Sequence, residues 1–218
     1  MIQHLTEHTP FDPLALAAGV ASLRERDPAL ARLIDVVGSC TLVPQLDLFW
    51  ALVEAILAQQ ISTKAKQAIA ARVRALYDPL PTPALVLATP DETLRAAGCS
   101  GAKVIYLKDL SSRIVDGRLD LERLPALPDE DVIAALIDVK GIGRWTAEML
   151  LIFALGRLDV WPVDDLGVVV GVQRLLGLAD RPKPAELRLI GERWRPYRTI
   201  VIWYLWRMPR DWSAKELS

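Results

Sequence analysis

Two short stretches carry residue types that could do chemistry. The first is an acidic pair, Asp164-Asp165, set between Trp161-Pro162-Val163 and the apolar run Leu166 to Leu176. An aspartate in front of such a run can cap a helix by accepting its first amide protons. It can also react, because an anion is stabilised at a helix start. With two acids side by side, one can cap while the other works. The second stretch is Lys140-Gly141-Ile142-Gly143-Arg144. Glycines two apart allow a tight turn with positive φ and let a ligand approach the backbone. If a helix follows, predicted here from Thr146 to about Leu155, its first N–H groups lack intrahelical partners and suit a phosphate oxygen. Each stretch also has a plain reading, as a helix cap and as a helix–helix connection.

The elements that must hold these stretches are predicted to be helices. Pro10 to Arg26 reads as one, with Asp12 as its cap and Pro13 in its first turn. Pro28 to Val37 is a second, stopped by Gly38. Leu46 to Ala58 places Leu48, Leu52, Ala55 and Ile56 on one face, with Phe49 and Trp50 beside them, and belongs in a core. Ser62 caps a helix running to Tyr77. Pro79 to Pro90 is a proline-rich connection holding one short helix at most. Asp91 to Ala97 and Ala102 to Val115 are helices parted by Gly98-Cys99-Ser100-Gly101, and Lys103, Tyr106 and Leu107 share a face of the second. After a loop from Leu119 to Pro128, Asp129 caps a helix to Asp138 that leads into the glycine turn.

Composition bounds the answer. The 218 residues are 52% hydrophobic, enough for one core or two small lobes, and strand-like alternation is scarce. No apolar run reaches the ~18 residues of a membrane span. The first ten residues lack a signal-peptide core, so a cytoplasmic, membrane-free protein is expected. Cys40 and Cys99 are the only cysteines, which argues against a zinc site and excludes a four-cysteine iron–sulfur cluster. The net charge of −1 does not advertise a nucleic-acid binder. From Gly171 to Ser218, however, ten basic residues stand against five acidic ones. That is either a surface for phosphate or a solvated helical face.

The longer string is more specific than its parts. An apolar helix, then Lys140-Gly141-Ile142-Gly143-Arg144-Trp145-Thr146-Ala147, then Val163-Asp164-Asp165, resembles the helix-hairpin-helix DNA glycosylases over about residues 23 to 210. The nearest branch is that of 3-methyladenine DNA glycosylase II. Its longer members carry a β-rich N-terminal domain for which this chain leaves no room.

The resemblance implies an all-α fold of two helical lobes with a DNA-binding cleft between them. Residues 48–157 would form a bundle ending in the hairpin; 1–47 and 158–218 would form the second lobe. It implies a DNA-repair enzyme, working as a monomer on double-stranded DNA, that takes an alkylated purine out of the stack and hydrolyses its glycosidic bond. Asp165 matches the catalytic carboxylate. Trp145 stands where the lyases of the superfamily have a Schiff-base lysine, so no lyase activity is expected. Trp145 and Trp206 would instead hold a cationic base by cation–π attraction. Met149 replaces an aromatic one turn past Trp145 and would widen the pocket. Trp50, Trp194 and Trp203 are expected in the core.

In Ile56-Leu57-Ala58-Gln59-Gln60-Ile61-Ser62 the branch has the loop that enters the minor groove, and Gln60 takes the wedge position where an apolar residue is common. Gln59, Lys140, Gly141, Gly143, Arg144 and Thr146 would meet DNA. The backbone carbonyls of Ile137, Val139 and Ile142 would hold a structural K⁺ or Na⁺; no other cofactor is implied. A glycosylase for another lesion, a non-catalytic hairpin DNA-binding module and a helical interaction domain are the alternatives.

Overall fold

The computed structural model describes residues 13–43, 45 and 47–212. Among these all regular structure is helical, as the scarcity of strand patterns predicts. The chain divides into two compact units, Gln45–Leu150 and Met1–Pro44 with Leu151–Ser218. The predicted cap Asp12 lies outside the described residues.

The chain opens with α1 (Pro13–Arg26) and α2 (Pro28–Val37). Asp27 caps α2, its Oδ1 accepting the N–H groups of Ala29 and Leu30 at 3.0 Å. Its Oδ2 accepts the indole N–H of Trp194 at 2.8 Å, so one carboxylate starts a helix and satisfies a buried tryptophan. Gly38 ends α2 at φ +86°, as its position predicts.

The central unit begins with α3 (Leu48–Ala58), capped by Asp47, and α4 (Thr63–Arg74). Leu52, Val53, Ile56 and Leu57 of α3 are buried. Burial of each such side chain stabilises by about 1.5–3 kcal/mol. Ser62 caps α4 as expected, accepting from Ala65; the helix stops at Arg74, short of Tyr77. Next come α5 (Pro83–Ala88), α6 (Asp91–Ala96) and α7 (Gly101–Val115). Ser100 caps α7 by accepting from Lys103. α8 (Asp129–Ile137) follows a 3-10 turn. Asp129 does not cap it. Pro128 occupies the cap position without a side-chain bond, and Asp129, Glu130 and Asp131 fill the first turn, where their charge favours the helix dipole. α9 (Arg144–Phe153) starts two residues earlier than the sequence suggests.

The remaining helices are α10 (Leu166–Leu176), α11 (Pro184–Gly191) and α12 (Arg198–Leu205). α12 is buried throughout Thr199–Leu205 and packs on α1, α2 and α10. Of the seven tryptophans, Trp50, Trp161, Trp194 and Trp203 are buried; Trp145 is 50% exposed, and Trp206 is half-buried. That sorting separates the core tryptophans from the two singled out for base contact.

Candidate active site and nucleic-acid interface

In the unit containing both chain ends, Asp165 is the N-cap of α10. Its Oδ1 accepts the N–H of Val168 at 2.8 Å and the indole N–H of Trp206 at 3.0 Å. Asp164 is exposed. The capping and reactive readings of Asp165 therefore do not compete: the cap bond holds the carboxylate in one orientation. Trp206 is fixed in turn. One ring contact is Phe153, stacked at 5.8 Å between centroids and 20° between planes. Gly167 provides the space for its edge, since a Cβ there would lie 2.7 Å from Trp206 Cδ1, 2.9 Å from its Nε1 and 3.0 Å from Asp165 Oδ1. The sequence reading missed Phe153 and Gly167. Phe153 was legible in part: it follows Trp145 and Met149 at steps of four, the spacing of one helical face. Met149 is half-buried.

In the central unit, α8 and α9 are joined by the glycine turn. Only Gly141 takes positive φ, +82°; Gly143 does not. Val139 accepts the Ile142 N–H at 3.0 Å and closes the turn. Gly141 lies on the Tyr106 ring, and a Cβ would come within 2.5 Å of two ring carbons and closer to a third. The Lys140 N–H donates to Asp109 Oδ2 at 2.9 Å. Burial alone would raise the Asp109 carboxyl, but that amide and the Arg113 guanidinium outweigh it and hold the group below the usual carboxylate range.

The phosphate candidates differ in availability. Lys140 is exposed and the turn backbone at Gly141 and Gly143 is open to solvent. Arg144 is already engaged by Glu130 at 3.0 Å and Glu148 at 3.1 Å; bonding to Arg144 holds the Glu130 carboxyl below its usual range. Thr146 is only 9% exposed, so its side chain serves the unit's interior more than a ligand. Gln59 is also committed, its Nε2 donating to the Gly141 carbonyl at 2.7 Å. Gln60 is exposed, and it is the one non-glycine among the described residues at positive φ, +57°. Three arginines of the basic C-terminal segment are held within the protein. Arg195 and Arg198 both bind Asp159, at 2.9 and 2.7 Å, and Arg174 caps the carbonyls of Pro209 and Arg210.

Two helices joined through a glycine at positive φ, with exposed backbone at the turn, define a helix-hairpin-helix protein. The chain belongs to the HhH-GPD superfamily of base excision DNA repair proteins, whose profile matches residues 53–196. DNA-3-methyladenine glycosylase 1 of Schizosaccharomyces pombe is 37% identical over 159 residues, covering 72% of this chain and 70% of that protein. The alkylbase DNA glycosidase-like protein mag2 of the same yeast is 31% identical over 193 residues, covering 84% and 89%. Among solved structures, S. pombe 3-methyladenine DNA glycosylase in complex with abasic DNA superposes with a TM-score of 0.78 at 33% identity, covering 87% of this chain and 95% of that one. A DNA-3-methyladenine glycosidase from Bacillus halodurans gives 0.79 at 37% identity, covering 87% and 88%.

Proposed function

We propose that this protein is a DNA glycosylase of base excision repair that hydrolyses the glycosidic bond of alkylated purines in duplex DNA and leaves the strand uncut. The observation that carries the reading is the 3.0 Å bond from the Trp206 indole to Asp165. It puts an oriented carboxylate at the edge of an aromatic plane. A purine extruded from the duplex and stacked on Trp206 would bring its sugar toward that acid. Alkylation makes the base cationic, which favours indole contact by about 1–2 kcal/mol once desolvated. It also makes the base a good leaving group, departing with the bond's electron pair. Asp165 then stabilises the positive charge left at C1′, orients the water that adds there and takes the proton that this water gives up. Position 145 is a tryptophan, so no amine stands there to form a Schiff base.

The exposed turn at Gly141 and Gly143, with Lys140, is the proposed phosphate contact. A K⁺ or Na⁺ held by the carbonyls of Ile137, Val139 and Ile142 would add positive charge there. Gln60 is the proposed wedge. Identity of 37% to a relative named DNA-3-methyladenine glycosylase 1 supports the alkylated-purine substrate class.

The test is release of methylated base from alkylated duplex DNA by wild type and Asp165→Asn side by side. Asparagine caps a helix nearly as well as aspartate and can still accept from Trp206. The variant should therefore fold normally yet lose at least about 100-fold in release rate. Release within a few-fold of wild type removes Asp165 from the mechanism.

A further inference from the structure

Gln59 stands one residue before the proposed wedge and carries none of the proposed chemistry. Its environment nonetheless gives it a task. It terminates α3 in an extended conformation, and its side chain crosses to the hairpin to donate to the Gly141 carbonyl at 2.7 Å. The next residue, Gln60, then turns into the left-handed region. One helix supports both ends of this link. On α7, buried Lys103 donates to the Leu57 carbonyl in the last turn of α3 at 2.7 Å. One turn on, the Tyr106 ring lies against Gly141. One turn further, Asp109 receives the Lys140 amide. Residues three apart are neighbours along a helix surface, so α7 holds the end of α3 and the hairpin at a fixed spacing, and Gln59 closes the link between them.

Resting on the wedge and hairpin roles above, we propose that Gln59 is a positioning residue that ties the wedge loop to the hairpin backbone. With the bond in place, the turn that grips phosphate and the side chain that enters the stack move as one body. Without it, the hairpin still grips DNA, but Gln60 arrives with the freedom of a loop. A displacement of about 1 Å in a positioned group can cost up to about 100-fold in rate, so the link acts on extrusion and not on affinity.

The experiment compares wild type, Gln59→Ala, Gln60→Ala and the double variant, with Gln59→Met as a shape-preserving variant that lacks only the amide. Three quantities are read: single-turnover release of 7-methylguanine from a methylated duplex, fluorescence of 2-aminopurine beside the target nucleotide as a report of extrusion, and binding to undamaged duplex. Gln59→Ala and Gln59→Met should keep the thermal midpoint and bind undamaged duplex within about twofold of wild type, while losing about tenfold in extrusion and release. The double variant should be no slower than Gln60→Ala, because a wedge that is absent gains nothing from being held. If Gln60→Ala is slow while Gln59→Ala matches wild type, or if the two losses multiply, the link is refuted and the wedge stands. If Gln60→Ala itself releases base at the wild-type rate, the wedge reading fails and the proposal falls with it.

Discussion

Replacing Gly141 by alanine tests the hairpin geometry most directly. Two costs can be worked from the structure. The backbone holds φ at +82°, a region that costs an L-residue about 1–2 kcal/mol relative to glycine. The new Cβ would also meet two Tyr106 ring carbons at 2.5 Å and a third closer still, well inside van der Waals contact. Forcing such an overlap into packed surroundings costs about 1–3 kcal/mol. Together they predict a loss of about 2–5 kcal/mol, a large share of the 5–15 kcal/mol typical of a folded protein. Urea unfolding of wild type and Gly141→Ala measures the sum. The same substitution in a Tyr106→Ala background separates the parts: with the ring gone, only the backbone strain of about 1–2 kcal/mol should remain. Salt-dependent binding to duplex DNA should weaken in parallel, because the proposed phosphate contact is the same turn. Two results would refute the reasoning. One is a Gly141→Ala protein as stable as wild type; the other is an equal penalty with and without the Tyr106 ring.

Two further outcomes follow from the sites described. Asp109 is held below its ordinary carboxyl value of 3.8 in the folded protein, so its stabilisation is fully present above that value and fades as pH falls through the lower folded one. The stability gap between wild type and Asp109→Asn, followed by urea titration, should stay constant above about pH 5 and close at lower pH; a gap that widened in acid would contradict it. Borohydride added during turnover of alkylated DNA should trap no covalent protein–DNA adduct, and a trapped species on a denaturing gel would restore a lyase mechanism.

What the residues betrayed in advance was local. Ser62 and Gly38 are caps whose side-chain type and distance from an apolar run suffice to place them. Trp194 and Trp203 were legible as core from the apolar helices around them. Asp165 could be placed at a helix start, but its bond to Trp206 spans 41 positions and has no local sign. The same holds for Lys103 on Leu57, 46 positions apart, and for Gln59 on Gly141, 82 apart. Charges misled most. Arg144 reads as a phosphate ligand beside the glycine turn, yet Glu130 and Glu148 claim it. Asp129 reads as a cap, yet the extended backbone of Pro128 puts it one residue inside the helix. Equal treatment of Gly141 and Gly143 failed because only one lies against an aromatic ring with its backbone left-handed.

With Gln60 in the proposed wedge role, its left-handed backbone would set endurance against repair. Glycine there would relieve about 1–2 kcal/mol of strain and leave the turn in place, while removing the side chain proposed to fill the vacated stack. On that proposal, a mutant library sorted by heat alone would enrich proteins that survive better and mend DNA worse through this position.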